Sequence, residues 1–566
     1  MDQIIQERYE SWLNDPVFDE KTRQELEAIR GDEKEIQDRF YQELAFGTAG
    51  LRGILGAGTN RMNVYTLRKA TQGLADYINR QGEEAAKRGV VIAHDCRHMS
   101  REFCLESARV LAANGIKAYI FDDMRPTPEL SFALRELSAI AGIVITASHN
   151  PPEYNGFKVY WEDGAQVSTA IADAVTASIA AIEDYGAAKL MSEAEAREQG
   201  LIRELAEDMD EAYLEAVLSQ SLCQDAVEKV SPRFKVVYTP LHGTGVNLVP
   251  EALRQAGFSQ VILEPSQAIP DPDFSTVKSP NPEEKAAFKL AIELAEKEGA
   301  DLIIGTDPDG DRVGAVVKNR EGEYVVLTGN QTGALLVEYI LRTRKEKGML
   351  PDNSLMVKTI VTSEMGAVIA KAYGATMENT LTGFKYIGDR IKHYEETGEK
   401  QFLFGFEESF GYLSGTYARD KDAIVASLLI AEMAAVYALD GISLYEALMK
   451  LYETYGTYLE DLKSITLKGK EGMEKIASIM GKFRSNTPES IAGVRVTNVE
   501  DYKKMPGFPG ADVIKLWLGT KGWVALRPSG TEPKLKIYAS VKTDSLETSR
   551  QLLREWINEM QAMVEA

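Results

Sequence analysis

The chain has 566 residues, of which 44% are hydrophobic and 27% charged, and its formal net charge is −22. A chain of this length exceeds what one hydrophobic core supports, which predicts about three to five domains. The acidic balance argues against nucleic acid or an anionic membrane as a partner, because binding to either requires clustered Lys and Arg.

Helical sequence patterns occupy the N-terminal residues, and predicted strands come after them. Residues 1–40 predict a helical N-terminal extension, and Asn63–Arg80 has the apolar spacing of an amphipathic helix. Short apolar runs that end in polar loops then alternate with helical stretches, among them Glu283–Glu298 and Asp422–Leu439. This alternation predicts βαβ units in a mostly parallel sheet, and it recurs about three times. Residues 185–210 carry no strand signal and are predicted to be a connector.

The pattern changes after about Tyr455, where short strands are followed by a final helix and predict a smaller α+β domain. We therefore predict an α/β protein with three similar mixed α/β domains plus a smaller C-terminal α+β domain, around a central active-site cleft. The predicted domains are 1–205, 206–325, 326–455 and 456–566. The polar motifs come where strands end, which is where ligands bind in open α/β sheets.

Only three cysteines occur, Cys96, Cys104 and Cys223, without a CxxC pair or zinc spacing. So few cysteines favour a reducing compartment. The N-terminal residues, MDQIIQERYESWL, lack the pattern of a signal peptide, and no run reaches about 18 apolar residues. We therefore expect a cytoplasmic protein that does not span a membrane.

The strictest motif is D-P-D-G-D-R, which places Asp307, Asp309 and Asp311 directly after an apolar strand. Three alternating carboxylates can converge on one hard cation, and oxygen ligands suit Mg²⁺. An EF-hand loop is excluded, because Arg312 and Lys318 stand where that loop needs Gly and Glu. The alternative is an acidic turn exposed to solvent.

Ser148, in T-A-S-H-N-P, is a candidate nucleophile at a strand end. The flanking residues do not form the G-x-S-x-G elbow of a hydrolase, and His149 is not identified as a base by adjacency alone. The alternative is a polar turn that caps a helix. Lys158, ten residues further on, is a candidate for proton transfer or for holding negative charge.

Two later motifs suit recognition of a phosphorylated sugar. R-P-S-G-T offers Arg527, Ser529, Gly530 and Thr531 as phosphate ligands, because a guanidinium, hydroxyls and turn amides together bind anions. G-F-E-E-S offers a carboxylate and a hydroxyl, Glu407 and Ser409, for sugar hydroxyls; the alternative is a helix N-cap. Lys421 follows in Y-A-R-D-K-D and is a candidate for anionic substrate oxygens.

Together these motifs, in this order, resemble those of the α-D-phosphohexomutase superfamily. F-G-T-A-G-L-R-G at Phe46–Gly53 also resembles the family's N-terminal active-site segment, which makes Arg52 an active-site candidate. The motif sequences are most similar to those of the branch that contains bacterial α-phosphoglucomutases and animal phosphopentomutases. The resemblance covers almost the whole chain.

The resemblance implies a phosphoenzyme. Ser148 would carry the phosphoryl group and contact a Mg²⁺ ion held by the three aspartates. Glu407 and Ser409 would bind sugar hydroxyls, Arg312 the substrate, and the R-P-S-G-T residues its non-reacting phosphate. Glucose 1-phosphate and glucose 6-phosphate would interconvert through glucose 1,6-bisphosphate, which is also the activator. The implied partners are small sugar phosphates, and the implied state is a monomer or a weak homodimer.

One departure concerns proton transfer. Some members carry a histidine close to the E-x-S motif, whereas here E-E-S-F-G-Y contains none. The resemblance offers Lys421 for that role and assigns His149 to the support of Ser148. Ribose or deoxyribose phosphate is the alternative substrate. A metal-dependent sugar phosphatase and a non-catalytic sugar-phosphate sensor are the alternatives from other classes.

Overall fold

A computed structural model describes residues 2–47, 50–467, 469–529 and 534–565, with the backbone alone at 469–471. The chain forms two compact units. Unit 1 comprises Met1–Ala315 and Leu413–Ala431, and unit 2 comprises Val316–Tyr412 and Glu432–Ala566.

The N-terminal segment forms three helices, α1 (Gln3–Asn14), α2 (Glu20–Ala28) and α3 (Glu33–Phe40). Each helix is capped by an aspartate side chain that accepts from a backbone amide in its first turn. Their apolar faces meet around Trp12, which stacks on Phe18 with ring centroids 4.1 Å apart. The segment therefore packs around a small aromatic core, to which Ala57 and Tyr65 from the following residues also contribute.

Unit 1 continues with a six-stranded sheet of order β1-β5-β4-β2-β3-β6. Its elements are β1 (Gly50–Ile54), α4 (Val64–Arg80), α5 (Glu83–Arg88), β2 (Val90–His94), α6 (Ser100–Ala113), β3 (Ala118–Phe121), α7 (Thr127–Glu136), β4 (Ala141–Ile145), β5 (Tyr154–Trp161), α8 (Thr169–Ala180), α9 (Glu193–Glu198) and β6 (Ile202–Leu205), with a 3₁₀ turn at Tyr185–Ala187. Strands β4, β2, β3 and β6 are parallel to one another, whereas β5 runs antiparallel to both of its neighbours, β4 and β1. The predicted helix Asn63–Arg80 is confirmed, with Asn63 as its cap.

The prediction that residues 185–210 lack a strand is wrong, because β6 extends the sheet beside β3. Only its first and last side chains, Ile202 and Leu205, are buried, while Arg203 and Glu204 face solvent. A short edge strand of this kind shows no clear alternation in the sequence, because two of its four side chains are exposed and charged.

The second sheet has the order β11-β10-β9-β7-β8, in which β8, β7 and β9 are parallel. The elements of this part are α10 (Glu207–Leu218), α11 (Gln224–Val230), β7 (Lys235–Thr239), α12 (Gly245–Gln255), β8 (Gln260–Leu263), α13 (Lys289–Glu298), β9 (Leu302–Thr306), β10 (Val313–Lys318) and β11 (Tyr324–Val326).

The helix predicted at Glu283–Glu298 is confirmed only in its second half. A 3₁₀ turn at Lys285–Phe288 comes first, and α13 begins at Lys289. Glu283 lies before both elements, where its amide donates to the Asn281 side chain and its carboxylate pairs with Arg312. These contacts compete with continuation of the helix toward its N-terminus.

Unit 2 contains most of the third sheet, of order β13-β12-β14-β15, in which β13, β12 and β14 are parallel. The elements are α14 (Gly329–Glu346), β12 (Ser354–Thr359), α15 (Met365–Ala372), β13 (Thr376–Thr380), α16 (Phe384–Thr397), β14 (Gln401–Glu407), β15 (Gly411–Ser414), α17 (Ala423–Leu439) and α18 (Leu444–Tyr455). The predicted helix Asp422–Leu439 is confirmed as α17. No single described helix is long and apolar enough to cross a membrane; α17 and α18 reach that length and composition only together, across a bend of 83°.

The C-terminal sheet is antiparallel, of order β16-β22-β21-β20-β19. The elements are β16 (Thr457–Thr466), α19 (Gly469–Ser485), β17 (Ser490–Ile491), β18 (Val494–Arg495), β19 (Asn498–Asp501), β20 (Ile514–Trp517), β21 (Gly522–Pro528), β22 (Lys534–Thr543) and α20 (Leu546–Glu565). Three sheets with parallel central strands, followed by an antiparallel sheet with a final helix, confirm the predicted fold class.

Candidate active site

Ser148 lies in the turn after β4, and its hydroxyl contacts the aspartate loop. Its φ of 52° is in the left-handed region, which costs about 1–3 kcal/mol for a residue other than glycine and is typical of functional turns. The Ser148 amide donates to Thr146 Oγ1 at 2.8 Å, and its Oγ donates to Asp307 Oδ2 at 3.0 Å. The fold thus brings together a serine and an aspartate from two different sheets of unit 1.

Arg97, which the sequence pattern does not single out, fixes this turn. Its guanidinium donates to four backbone carbonyl oxygens, those of Ser148 (2.6 Å), Asn150, Pro151 (2.7 Å) and Tyr154 (3.0 Å). Arg97 Nε also lies 3.3 Å from Asp95 Oδ2, and both side chains are fully buried. One buried cation therefore fixes the backbone at the candidate nucleophile and in the residues that follow it. The available signal was Asp95 and Arg97 in the polar loop after an apolar strand.

The aspartate loop follows β9 and is tightened by its own first member. Asp307 Oδ1 accepts from the amides of Asp311 at 3.1 Å and Arg312 at 2.9 Å. Gly310 has a φ of 65°, which glycine adopts without steric cost. Gly243 lies against this loop, since a Cβ there would be 2.4 Å from the Pro308 Cα. The local sequence thus turns the chain sharply enough to bury all three carboxylates.

Two lysines contact the buried carboxylates. Lys158, on β5, lies 2.7 Å from Asp309 Oδ2 and 3.7 Å from Asp311 Oδ2. Lys421, just before α17, lies 3.1 Å from Asp311 Oδ2 and 3.2 Å from Asp420 Oδ1. The structure therefore brings Ser148, three aspartates and both predicted lysines into one cluster, which we call the Ser148 cluster.

The charges within the Ser148 cluster shift one another's pKa values. Burial, followed by the charges of Asp309 and Asp311, raises the pKa of Asp307 well above its usual range. Burial also opposes ionisation of Asp309, but Lys158, together with Asp307 and Lys421, outweighs it and lowers the pKa of Asp309. Burial disfavours the Lys158 cation, yet Asp309 and then Asp311 raise the pKa of Lys158. The repulsion among the carboxylates thus favours a proton, or another cation, at Asp307.

The three aspartates fit a divalent cation. One oxygen from each carboxylate lies within 4.8 Å of the others. Asp309 Oδ1 and Asp311 Oδ1 are buried and accept no hydrogen bond from the residues that the structure describes. Buried carboxylate oxygens without a donor are costly, and a hard cation is the partner that such oxygens take.

His149 contacts Ser148, with its Nδ1 3.1 Å from Ser148 Oγ. Burial, then the charges of Arg312 and Arg52, lowers the pKa of His149 well below its usual range. The ring is therefore neutral at pH 7, as expected for a hydrogen-bond partner and unfavourable for a strong base.

Arg52 and Arg312 lie at the edge of the Ser148 cluster. Arg52 is on β1 and donates to Asn150 Oδ1 at 3.5 Å, the long end of the hydrogen-bond range. Arg312 pairs with Glu283, and its Nε lies 3.8 Å from Asp311 Oδ1. Both guanidiniums therefore add positive charge beside the aspartates.

In unit 2, the G-F-E-E-S motif ends β14 and turns toward β15. Glu407 Oε1 accepts from the Gly383 amide at 2.8 Å. Glu408 Oε2 accepts from two buried hydroxyls, those of Thr359 and Thr362, each at 3.1 Å. Ser409 is half-buried in the turn itself. Glu408 thus fixes the turn through the two threonine hydroxyls, and Glu407 lies beside the start of α16.

The predicted phosphate ligands begin on β21. Arg527 Nη1 donates to Tyr538 Oη at 3.5 Å, and the Ser529 amide donates to the Lys534 carbonyl at 2.8 Å. Gly530 and Thr531 lie outside the described residues. Burial, and then the charge of Glu408, raises the pKa of Tyr538, while Arg527 opposes this shift. The two recognition motifs therefore meet at Tyr538, a residue that no sequence pattern indicates.

Lys385 is a further residue that the sequence prediction missed. It follows Gly383, whose amide binds Glu407, and burial lowers its pKa. Its Nζ is buried, lies 5.2 Å from the centroid of the Tyr386 ring and donates no hydrogen bond to a described residue. The available signal was T-G-F-K directly after a strand.

Comparison with known proteins places this architecture in one class. Family models for domains I, II and III of phosphoglucomutase/phosphomannomutase, each described as α/β/α, match residues 43–186, 211–322 and 328–455. The model for the family's C-terminal domain matches residues 484–552. The four domain boundaries predicted from the sequence remain predictions.

Whole-length relatives give the same result. A phosphoglucomutase from Staphylococcus aureus (strain bovine RF122 / ET3-1) is 40% identical over 537 residues, 92% of this chain and 94% of that protein. A phosphoglucomutase from Staphylococcus haemolyticus is 39% identical over 532 residues, again 92% and 94%. The chain belongs to the phosphoglucomutase/phosphomannomutase family, which confirms the resemblance seen in its motifs.

Solved structures share the fold. The open form of parafusin, a phosphoglucomutase from Paramecium, has a TM-score of 0.71 at 18% identity, covering 93% of this chain and 95% of that one. A phosphoglucomutase/phosphomannomutase family protein from Burkholderia thailandensis has a TM-score of 0.67 at 18% identity, covering 92% and 97%.

Proposed function

We propose that this protein is a phosphoglucomutase, which interconverts glucose 1-phosphate and glucose 6-phosphate through a phosphorylated Ser148. The observation that carries the proposal is the contact between Ser148 Oγ and Asp307 within a buried cluster of three aspartates and two lysines. The whole-length phosphoglucomutase relatives support the choice of glucose phosphates.

In the first transfer, an oxygen of the sugar monophosphate attacks the phosphorus on Ser148. The bond from phosphorus to Ser148 Oγ breaks as the bond to the sugar oxygen forms, which gives glucose 1,6-bisphosphate. The sugar hydroxyl loses a proton and the serine oxygen gains one. We assign these proton transfers to Lys158 and Lys421, one accepting the proton as a neutral amine and the other donating one as an ammonium, because both Nζ atoms lie near Asp311 Oδ2, at 3.7 and 3.1 Å.

In the second transfer, the bisphosphate presents its other phosphate to Ser148, and the reverse bond changes restore the phosphoserine. Arg97 keeps the Ser148 turn in place throughout, because its hydrogen bonds go to backbone carbonyls that the reaction leaves unchanged. His149 stays neutral and supports the Ser148 oxygen. Phosphoryl transfer depends mainly on such positioning and on neutralised charge.

Asp307, Asp309 and Asp311 would hold the divalent cation, which we propose to be Mg²⁺, and Ser148 would contribute its oxygen. When bound, the cation neutralises charge on the transferring phosphoryl group. In its protonated form, Lys158 adds a positive charge beside the cation, and Asp309 and then Asp311 raise its pKa. Arg52 and Arg312 extend that positive charge toward the substrate phosphate.

Substrate recognition is assigned to the second set of residues. Glu407 and Ser409 would bind sugar hydroxyls, with a carboxylate as acceptor and a hydroxyl as donor or acceptor. Arg527, Ser529, Gly530 and Thr531 would bind the phosphate that does not react. Holding one phosphate lets binding energy position the other end of the sugar for transfer.

We further propose that the protein acts in the cytoplasm on small sugar phosphates, as a monomer or a weak homodimer, and binds neither nucleic acid nor membrane. The net charge of −22 supports the last point. The chain has only three cysteines, which suits a reducing compartment.

The test is to incubate the protein with Mg²⁺, glucose 1-phosphate and a trace of glucose 1,6-bisphosphate. We expect glucose 6-phosphate to form without free phosphate. Release of phosphate at the rate of substrate loss would instead indicate a phosphatase, and binding without turnover a sensor. Ribose 1-phosphate and deoxyribose 1-phosphate serve as competing substrates; a higher kcat/KM for either would replace glucose in the proposal.

A further inference from the structure

One face of the C-terminal sheet carries both an unusual lysine and the proposed phosphate-binding arginine. The cross-strand register aligns Lys515 with Ala525 and Ala525 with Tyr538, so these side chains point to one face. Arg527 lies two residues after Ala525 and therefore shares that face. Buried apolar side chains of this face pack against Ile360, Val361 and Leu381 of the neighbouring α/β domain.

Lys515 is buried at this contact with its charge directed across it. The side chain is 1% exposed, and its Nζ lies 4.4 and 4.2 Å from the ring centroids of Trp517 and Trp523. The ammonium donates to the Ile360 carbonyl at 2.8 Å and lies 3.2 Å from Glu364 Oε1. The two tryptophans shield the cation from water, and both acceptors belong to the other domain.

The acceptor segment, residues 359–364, connects the end of β12 to α15. Lys358 holds it from beneath by donating to the carbonyls of Thr359 at 3.3 Å and Thr362 at 3.2 Å and to Glu364 Oε1 at 3.2 Å. The hydroxyls of Thr359 and Thr362 bind Glu408 of the G-F-E-E-S motif. The same segment thus contacts Lys515 on one side and the proposed sugar-binding turn on the other.

Burying a lysine between two apolar surfaces costs free energy, because its ammonium group loses its hydration. Burial, and next the charge of Lys358, lowers the pKa of Lys515 to about 8. An apolar side chain at a buried ionic position is often neutral or stabilising. A buried cation at this contact is therefore better explained by a requirement for one particular alignment of the two domains than by a gain in stability.

We propose that Lys515 is a positioning residue that aligns the phosphate-binding arginine with the sugar-binding turn. By joining the C-terminal sheet to residues 359–364, Lys515 fixes where Arg527 stands relative to Glu407 and Ser409. It thereby sets the span between the phosphate end and the hydroxyl end of the substrate site. This inference rests on the proposed function, because that function assigns both ends their roles.

The test compares Lys515→Met and Glu364→Gln with a control, Lys521→Met, which removes an exposed lysine from the same sheet domain. KM and kcat for glucose 1-phosphate are measured with saturating Mg²⁺ and glucose 1,6-bisphosphate. We expect KM to rise at least about tenfold in both test variants, as loss of a charged hydrogen bond implies, while kcat changes less than about threefold. The thermal midpoint of Lys515→Met should be unchanged or higher.

Two results would overturn the inference: a KM for Lys515→Met equal to that of Lys521→Met, or a lower thermal midpoint with kcat and KM affected alike, which is the mark of a merely structural residue. If Lys515→Met does not fold, Glu364→Gln decides the question alone, because it is nearly isosteric. A wild-type protein that forms no glucose 6-phosphate would instead contradict the proposed function.

Discussion

The Ser148 cluster of unit 1 and the proposed recognition residues of unit 2 are built differently. In the Ser148 cluster, buried charges contact one another directly, as Lys158 and Asp309 do at 2.7 Å. In unit 2, Arg527 donates a hydrogen bond to Tyr538 at 3.5 Å, and Ser409 is half-buried in a turn. The proposed reacting groups are therefore held by mutual charge, whereas the proposed recognition residues are held by the domains that carry them.

This difference has a physical reason. Charges buried together exert large forces on each other, so changing one member alters the protonation of the rest. Residues that bind a sugar phosphate must accept and release it, and strong internal ion pairs would compete with the ligand. Changes in the first region should therefore lower kcat, and changes in the second should raise KM.

The largest effect is expected from Asp309→Asn, which removes a carboxylate that faces both Lys158 and the proposed cation. We expect kcat to fall about a hundred- to a thousandfold, the loss seen when one preorganised electrostatic group is removed. The concentration of Mg²⁺ needed for half activity should rise as well. A titration with Mg²⁺ after chelation measures both quantities.

Asp273→Asn is the matched control, because Asp273 is an exposed aspartate of unit 1 that pairs with His98. Its activity should equal that of the wild type. An Asp309→Asn protein with wild-type kcat and Mg²⁺ dependence would remove the proposed metal site.

A smaller effect is expected from Arg527→Lys, which keeps the positive charge but loses the two-pronged guanidinium. We expect KM for glucose 1-phosphate to rise about tenfold, equivalent to about 1.4 kcal/mol, with little change in kcat. Steady-state kinetics separates the two constants. A fall in kcat at constant KM would place Arg527 with the reacting groups and so break the comparison.

The smallest effect on activity is expected from Glu129→Gln on α7. The Glu129 carboxylate is fully buried, accepts no hydrogen bond from the described residues and lies 3.9 Å from Arg125 Nε. Burial raises the pKa of Glu129 well above its usual 4.5, so folding binds a proton there. The stabilisation from this proton is complete below pH 4.5 and is lost as pH rises toward the folded-state value.

Glutamine mimics the protonated acid at all pH values. Thermal midpoints of the variant and the wild type should therefore agree near pH 4.5 and diverge above it, with the variant more stable at pH 8. A wild type as stable as the variant at both pH values would mean that Glu129 is ionised in the folded protein at no cost.

The candidate reacting residues of this site can be predicted from the sequence more readily than the residues that hold them in place. The three aspartates and Ser148 are readable because each motif follows an apolar strand, and strand ends meet at one edge of a sheet. Arg97 is indicated only weakly, by its place in the polar loop after an apolar strand, because its partners are carbonyl oxygens and any residue supplies those. Tyr538 and Lys515 act through cross-strand register, which a single sequence does not show.

The same limit applies to the fold. The strand β6 is not predicted, because its two exposed charged residues separate the two buried apolar ones and break the alternation. The start of α13 was misplaced because Glu283 pairs with Arg312, a contact set by tertiary structure. Strongly periodic elements such as α4 and α17 were predicted correctly, because their buried faces are continuous.

The most direct test of the central claim is transfer of phosphate to Ser148. The protein is incubated with glucose 1,6-bisphosphate and Mg²⁺, and phosphate is located by intact mass and peptide mass spectrometry, alongside Ser148→Ala. We expect one phosphate per chain, on Ser148, and none on the variant, with mutase activity at least about a thousandfold lower in the variant. Phosphate on another residue, or a Ser148→Ala protein with near-normal mutase activity, would contradict the account.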